Sequence, residues 1–521
     1  MNSAHKEENY KWMVLWVVMI GTLMGALDSS IVNVSIPSIM ADFGSSVNDI
    51  EWVITAYMLA FATLMPLTAW FRDRIGHKNL YIISLVVFTA GSLLCGMAWN
   101  LPSLVVARII QALGGGAVTP TAMAMISDAF EPRERGKAIG YWGIGVIVGP
   151  AFGPTLGGFL TKNFGWRSIF LVNLPIGIIG FFLAMSLLKA DKPHPSIRKP
   201  FDFWGFTFLS AFLVASLLGL SQGEIEGWGS AYIVTCAVVS FFGFIGFLLV
   251  ESLIPNGIID IALFKSPIFA SCTLMSFVRS VALYGGTFLL PLFLEQNMGL
   301  DEIETGLILL PGALVIGLFM PIAGKISDAI GPRIPTLVGL LALAAFMYMY
   351  KTLDVNTSVW HVILPTLIRG FGLGLLIAPV SAAAMNSVPN NKSGMASSIL
   401  NLAQQVGGSV GIALLGTVLT HRTHFHINVI SSSAPSNTSS YYEAFHYLSS
   451  YIHTLGHTHG ESSIISRILL AQHMGLSGSV MAFQDAFLVG AGVVMCAFIP
   501  AFLLPNKPTA HIGEAEMIGM E

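Results

Sequence analysis

The chain has 521 residues, of which 54% are hydrophobic and 10% charged, with a net charge of −3 and a mean hydropathy of +0.74. A soluble domain carries roughly 25% charged residues, so so few charges cannot clothe several water-facing domains; helices that cross lipid and satisfy their own backbone are the alternative. The dispersed basic residues exclude a nucleic-acid surface, and Cys95, Cys236, Cys272 and Cys496 sit in apolar runs without a disulfide or CxxC metal frame.

In chain order, fourteen apolar segments are predicted to span the membrane: 12–37, 52–71, 79–98, 101–127, 137–161, 168–188, 203–221, 230–250, 268–293, 304–326, 334–350, 360–386, 395–420 and 481–504. The first carries Asp28 and Asn33 and lacks a small-residue cleavage site, so it reads as a retained span. The only long polar stretch is 421–480, rich in His, Ser and Tyr. It is expected to be a solvated external loop; zinc binding, acid sensing and contact with a partner are its alternatives. No cysteine or carboxylate frame accompanies the histidines, so no metal site is predicted.

Orientation follows from the Lys/Arg bias. With the N-terminus inside, 17 of the 25 basic residues fall on the cytoplasmic side, 5 on the other, and Arg108, Arg279 and Arg369 within spans. Both termini are therefore expected in the cytoplasm. The predicted division is a cytoplasmic N-terminus (1–11), a six-helix half (12–188), a linker with an inserted helix pair (189–265), a second six-helix half containing the external loop 421–480 (266–504), and a cytoplasmic tail (505–521).

The halves are related by an internal repeat. Asp73-x-Ile75-Gly76 echoes Asp328-x-Ile330-Gly331; the stretch ending in Arg108 echoes that ending in Arg369; and Val148-Gly-Pro-Ala-Phe-Gly153 echoes Val406-Gly-Gly-Ser-Val-Gly411, all in one order. Such repeats place a substrate cavity between the halves near the bilayer midplane.

Residues 69–78 form a short cytoplasmic turn in which Asp73 is flanked by Arg72, Arg74 and Lys78, a set able to break and reform ion pairs as the halves rock. Gly145, Gly149, Gly153 and Gly157 recur every four residues beside Pro150 and Pro154, giving one smooth, kink-prone helix face that suits a sliding gate. The turn resembles the signature loop of the major facilitator superfamily at Asp73, Arg74, Gly76 and Lys78, with Ala69, Phe71 and His77 departing from it. The Gly-Pro stretch resembles the antiporter motif of drug exporters. Leu27-Asp-Ser-Ser-Ile-Val-Asn-Val-Ser-Ile-Pro37 resembles the first-helix motif of the EmrB/QacA-type fourteen-span drug:proton antiporters, and Leu104-x-x-x-Arg108-x-x-Gln111 the superfamily's basic motif. Trp166-Arg167 and Asn173-Leu-Pro-Ile-Gly177 resemble the same family, so the likeness covers residues 27 to about 330. It implies an all-α integral membrane fold of two six-helix halves plus an inserted pair, in the bacterial inner membrane.

A carboxylate inside a span costs a few kcal/mol and is a functional candidate by default. At 1.5 Å per residue, Asp28 lies roughly 13 Å and Arg108 roughly 10 Å below the same outer surface, on spans 1 and 4. Asp28 is therefore expected to carry the coupling proton, with Arg108 and Gln111 biasing its ionisation; a static ion pair is the alternative. Substrate-contact candidates are Asn33, Trp142, Arg279, Tyr284, Phe288 and Gln405, while Arg369 mirrors Arg108 and suits symmetric packing. Three intramembrane arginines against one carboxylate favour neutral or anionic cargo. The expected activity is proton-coupled export of hydrophobic, weakly acidic drugs without ATP or any other cofactor, since no P-loop occurs. Expected partners are the bilayer and the hydrophobic substrates; relatives of the EmrB kind imply a periplasmic adaptor and outer-membrane channel. A dedicated exporter of one metabolite, fatty acid, siderophore or peptide uses the same scaffold, and a membrane enzyme would need an acid–base pair that no span supplies.

Overall fold

The computed structural model describes residues 2–190, 201–254, 257–355, 357–433 and 439–506. Lys192, Arg198, Lys199 and Lys507 of the orientation count, and the tail after 506, lie outside the described residues. The chain forms helices α1 (Asn2–Phe43), α2 (Val47–Ile50), α3 (Trp52–Leu64), α4 (Leu67–Gly96), α5 (Leu101–Ala129), α6 (Arg135–Phe164), α7 (Ser168–Leu171), α8 (Asn173–Leu187), α9 (Phe203–Glu226) and α10 (Ala231–Leu253). These are followed by α11 (Pro267–Gln296), α12 (Glu302–Ile330), α13 (Arg333–Met349), α14 (Val359–Asn386), α15 (Ser393–Ser433), α16 (Ser439–Thr454), α17 (His459–Cys496) and α18 (Phe498–Ala501).

Among the described residues, 13 helices are long and apolar enough to cross a membrane. The expected second span, 52–71, is divided: α3 stops at Leu64, and the remainder belongs to the start of α4. Pro66 supplies no N–H to the helical ladder, which breaks the span there. α4 then runs through the turn at 69–78 into the third span, interrupted only by Gly76 at φ 80° and ψ 164°. Gly331, its counterpart in the repeat, takes φ 95° and ψ 161°. The two turns share a backbone conformation that side chains with a Cβ rarely adopt.

Within the first half α1 packs on α5, α6 and α8, and within the second α11 packs on α14, α15 and α17. The halves meet along two seams, α6 against α12 and α14, and α15 against α4 and α5. The inserted α9 touches both halves: Gln222 donates to Glu51 at 3.3 Å, and Trp228 just beyond it donates to Thr417 at 3.1 Å. α10 covers α9 and leaves most of its apolar surface outward, as a lipid-facing helix does.

The described residues of the stretch 421–480 are mainly helical, where a loop was expected. α15 has 41 residues and α17 has 38, so each is roughly 60 Å long, about twice the hydrocarbon thickness. Neither contains proline, and a polar helix is stable where a neighbour packs along it. Here α17 is that neighbour. Arg422 Nε and His426 Nε2 both reach Asp485 Oδ2 at 2.6 Å, the guanidinium of Arg467 lies 5.8 Å from the Phe445 ring, and the rings of His453 and His459 stack at 4.0 Å near the tip. The result is a helical stalk continuing the last spans.

Gly76→Ala and Gly331→Ala are each expected to destabilise the protein by about 1–3 kcal/mol. Thermal unfolding of the detergent-purified variants checks this; unchanged midpoints would contradict the strained-turn reading.

Candidate functional site

Asp28 faces the interior of the first half and is 0% exposed. Its Oδ2 accepts from Arg108 Nη1 at 2.6 Å; its Oδ1 accepts from Gln111 Nε2 at 2.7 Å and Asn173 Nδ2 at 3.0 Å. The depth count from helix rise therefore brings the right two spans together. Arg108 has further partners: Nη1 donates to Gln111 Oε1 at 2.6 Å, Nε to the Val53 carbonyl at 3.3 Å, and the guanidinium lies 4.0 Å from the centre of the Tyr57 ring. Ser92 accepts from Gln111 at 2.7 Å and from Asn173 at 3.3 Å. The carboxylate is charge-paired and amply hydrogen-bonded, which is the condition for burying one at all.

Tyr57, Ser92 and Asn173 complete this cluster and were not among the predicted site residues. Asn173 falls in the Asn-Leu-Pro stretch that resembles the family, and that was its one visible signal. Nothing in the spacing of Tyr57 or Ser92 shows which way their helices are turned.

The glycine stripe of α6 lies against α1 on both sides of Asp28. A Cβ on Gly149 would stand 2.4 Å from the Ala26 carbonyl carbon, and one on Gly153 2.6 Å from Ser30 Cβ. Gly145 meets Met19 and Gly157 meets Ile31 in the same way. Pro150 and Pro154 lie in this helix. The helices approach backbone to backbone at Gly149, and side chains tie them on either side of the stripe, Trp142 to Thr22 and Thr161 to Ser35.

At the end of the molecule bearing the basic loops, the halves are bonded together. Arg72 Nη2 holds Asp73 Oδ1 at 2.6 Å and crosses to the Asn391 carbonyl at 2.7 Å. His77 Nε2 lies 3.0 Å from Asp128 Oδ2, and Ser393 Oγ donates to Asp128 Oδ1 at 2.9 Å. Asp328 accepts from the backbone N–H groups of Gly136 and Lys137 at 3.0 and 2.8 Å, capping α6 from the other half. Arg135 donates to Asn386 Oδ1 at 2.9 Å, and Ser397 to the Pro120 carbonyl at 2.9 Å. Lys78 donates to the Met185 and Leu188 carbonyls, and Arg74 lies over the Trp70 ring. Asp128 and Asp328 were not singled out as site residues; both stand at helix ends whose partners are set by the docking of the halves.

The other candidates are dispersed. Trp142 is buried, its indole N–H donating to Thr22 at 3.0 Å inside the first half. Asn33 is exposed on the face of α1 that also carries Ser29 and Pro37. Tyr284 is exposed on α11 beside Gly408, Phe288 is half-buried near Gly416, and Gln405 is half-buried on α15. Arg279 is buried in α11. An apolar groove of about 490 Å³ runs between α6 and α12, walled by Ile144, Phe152, Leu314 and Leu318, with Lys325 at its margin.

The sequence profile of the Major Facilitator Superfamily matches residues 18–412. The chain is 32% identical over 503 residues to YhcA of Bacillus subtilis (strain 168), described as an uncharacterized MFS-type transporter, across 95% of this chain and 94% of that one. It is 29% identical over 496 residues to the multidrug export protein EmrB of Haemophilus influenzae, across 94% and 95%. The structure of the proton:xylose symporter XylE shares the fold, with a TM-score of 0.61 and 14% identity, covering 98% of this chain and 99% of that chain.

Removing one partner of a buried ion pair strands the other. Arg108→Ala is expected to cost about 3–5 kcal/mol, and the double variant Asp28→Asn with Arg108→Gln to cost less than the sum of its singles. Thermal unfolding of the four proteins measures the coupling; additive losses would show that the two side chains do not act as a pair.

Proposed function

The chain belongs to the Major Facilitator Superfamily, and we propose that within it this protein is a proton-coupled antiporter exporting hydrophobic drugs, weak acids among them, from the cytoplasm. By family and fold it is a multi-pass membrane transporter. Its likeness to a multidrug export protein over nearly the whole chain supports drugs as cargo. The proton-motive force drives transport without ATP, and the chain catalyses no chemical conversion of its cargo. The 17-to-5 charge bias supports a bacterial inner-membrane protein with both termini in the cytoplasm. The stalk then extends outside, where it offers a surface to a periplasmic adaptor leading to an outer-membrane channel.

The observation that carries the coupling is the sealed Asp28–Arg108 pair beside the glycine seam. Protonation removes the charge on Asp28, and Arg108 then keeps the Gln111 amide oxygen, the Val53 carbonyl and the face of Tyr57. The guanidinium then keeps hydrogen-bond partners but loses its counter-charge, so protonation weakens the hold between α1 and α5 at a cost. The amide of Asn173 can turn to accept from the protonated acid, because it carries both a donor and an acceptor and its oxygen has no other partner. Loosening Asp28 frees α1 to move along the smooth face of α6. The bonded end at Arg72, Asp128 and Asp328 is on this orientation the cytoplasmic seal of an outward-facing state, and Asp73, Arg74, Gly76 and Lys78 belong to the loop that remakes it.

In proteoliposomes with an imposed pH gradient, Asp28→Asn is expected to abolish gradient-driven accumulation of drug while leaving drug–drug exchange measurable. Full gradient-driven transport by this variant would refute the proton role. Arg108→Lys, which keeps the charge but not the planar fork, is expected to shift the pH dependence of transport without abolishing it.

A further inference from the structure

The second half repeats the helices of the first but inverts the charge at their centre. Gly149 meets α1 at Ala26, and Gly407 of α15 meets α11 at Phe277 in the same close approach. Two residues further along each contacted helix stand Asp28 and Arg279, which therefore occupy equivalent places. Arg369 on α14 answers Arg108 on α5 by the repeat of their motifs. The first half thus buries one carboxylate against one guanidinium, whereas the second buries two guanidiniums.

Arg279 is 4% exposed and Arg369 9%. Among the described residues neither makes an ion pair. Nε and Nη1 of Arg279 and Nε of Arg369 are buried without a hydrogen-bond partner. Nη2 of Arg369 donates to the Thr287 hydroxyl and to the Leu283 carbonyl at 3.5 Å. Leu283 and Thr287 follow Arg279 on α11 at four-residue steps, so both cations lie along one strip of that helix, roughly 6 Å apart per step. Thr287 is exposed, which opens the strip at that end, and Tyr284 is exposed close by.

Two unpaired cations in a membrane interior are costly, and the planar guanidinium fork suits a carboxylate or sulfonate. We propose that Arg279 and Arg369 form the anion subsite for the exported compound, whose own charge takes in the second half the place that Asp28 holds in the first. This rests on the export reading above and names the cargo class: amphiphiles with one anionic head on an aromatic or alkyl body.

Two fluorescent probes that share one aromatic body and differ by a sulfonate group test it: 8-anilinonaphthalene-1-sulfonate and neutral N-phenyl-1-naphthylamine. Saturable binding is measured on the full chain in proteoliposomes, with empty liposomes subtracted. Arg279→Gln and Arg369→Gln are each expected to weaken sulfonate binding at least tenfold while changing neutral-probe binding less than twofold, and Arg279→Lys to keep most of the sulfonate affinity. Equal loss of both probes, or no selective loss of the sulfonate, overturns the subsite. Unchanged sulfonate binding together with a chloride-dependent melting temperature that both Gln variants lose would assign a resident inorganic ion instead, and also overturns it. The export reading fails separately, if the wild-type chain moves neither probe against a pH gradient.

Discussion

A carboxylate sealed inside a membrane helix bundle has to be neutralised by its neighbours, and most of what is particular to this protein follows from how Asp28 is neutralised. One cation and two amides meet its two oxygens, and those donors come from α5 and α8. Three helices are thereby pinned at one point, in a medium that offers no water to replace a lost partner. In the proposed mechanism a single proton at this cluster changes the balance of forces. Beside it α6 presents its glycines to α1, between the side-chain bonds of Trp142 to Thr22 and of Thr161 to Ser35.

The split of roles between the two ends of the molecule follows. The bonds joining the halves are gathered at the basic end, and several of them use backbone carbonyls or backbone N–H groups. Such groups exchange a protein partner for water with a net change of only about 0.5–1.5 kcal/mol each. A seal of this composition is firm in sum and cheap to undo bond by bond, provided water reaches it. Gly136 and Gly324 approach so closely there that a Cβ on Gly324 would stand 2.0 Å from the Gly136 carbonyl oxygen, and side chains at either position would hold the halves apart.

Much of this was legible in the amino-acid order, for physical reasons. Helix rise is constant, so the depths of Asp28 and Arg108 could be counted from proline and turn residues, and the spacing of Gln111 placed it one turn from Arg108. Glycines at four-residue intervals fall on one face whatever the neighbour. Rotation and neighbour identity are not encoded so locally. Trp142 was read as facing a cavity, yet it turns inward to Thr22; Asn173 and Ser92 reach Asp28 from helices whose angular setting depends on packing. The stretch 421–480 was read as loop because its composition is polar, and polarity reports solvent, not conformation. The lack of proline in α15 and α17, together with the packing of each against the other, decides for helix.

That unbroken helix has a mechanical consequence. α15 touches the first half near one end, where Ser397 bonds the Pro120 carbonyl; it rests on α11 at Gly407 and Gly411, and it ends in the stalk at Ser433. With those glycines as fulcrum, the inner arm is roughly 15 Å and the outer arm roughly 33 Å at 1.5 Å per residue. Any tilt that parts Ser397 from its acceptor swings the far tip the opposite way through about double the distance. In the proposed transport cycle α15 would act as a lever, magnifying at the stalk a movement that begins at Ser397.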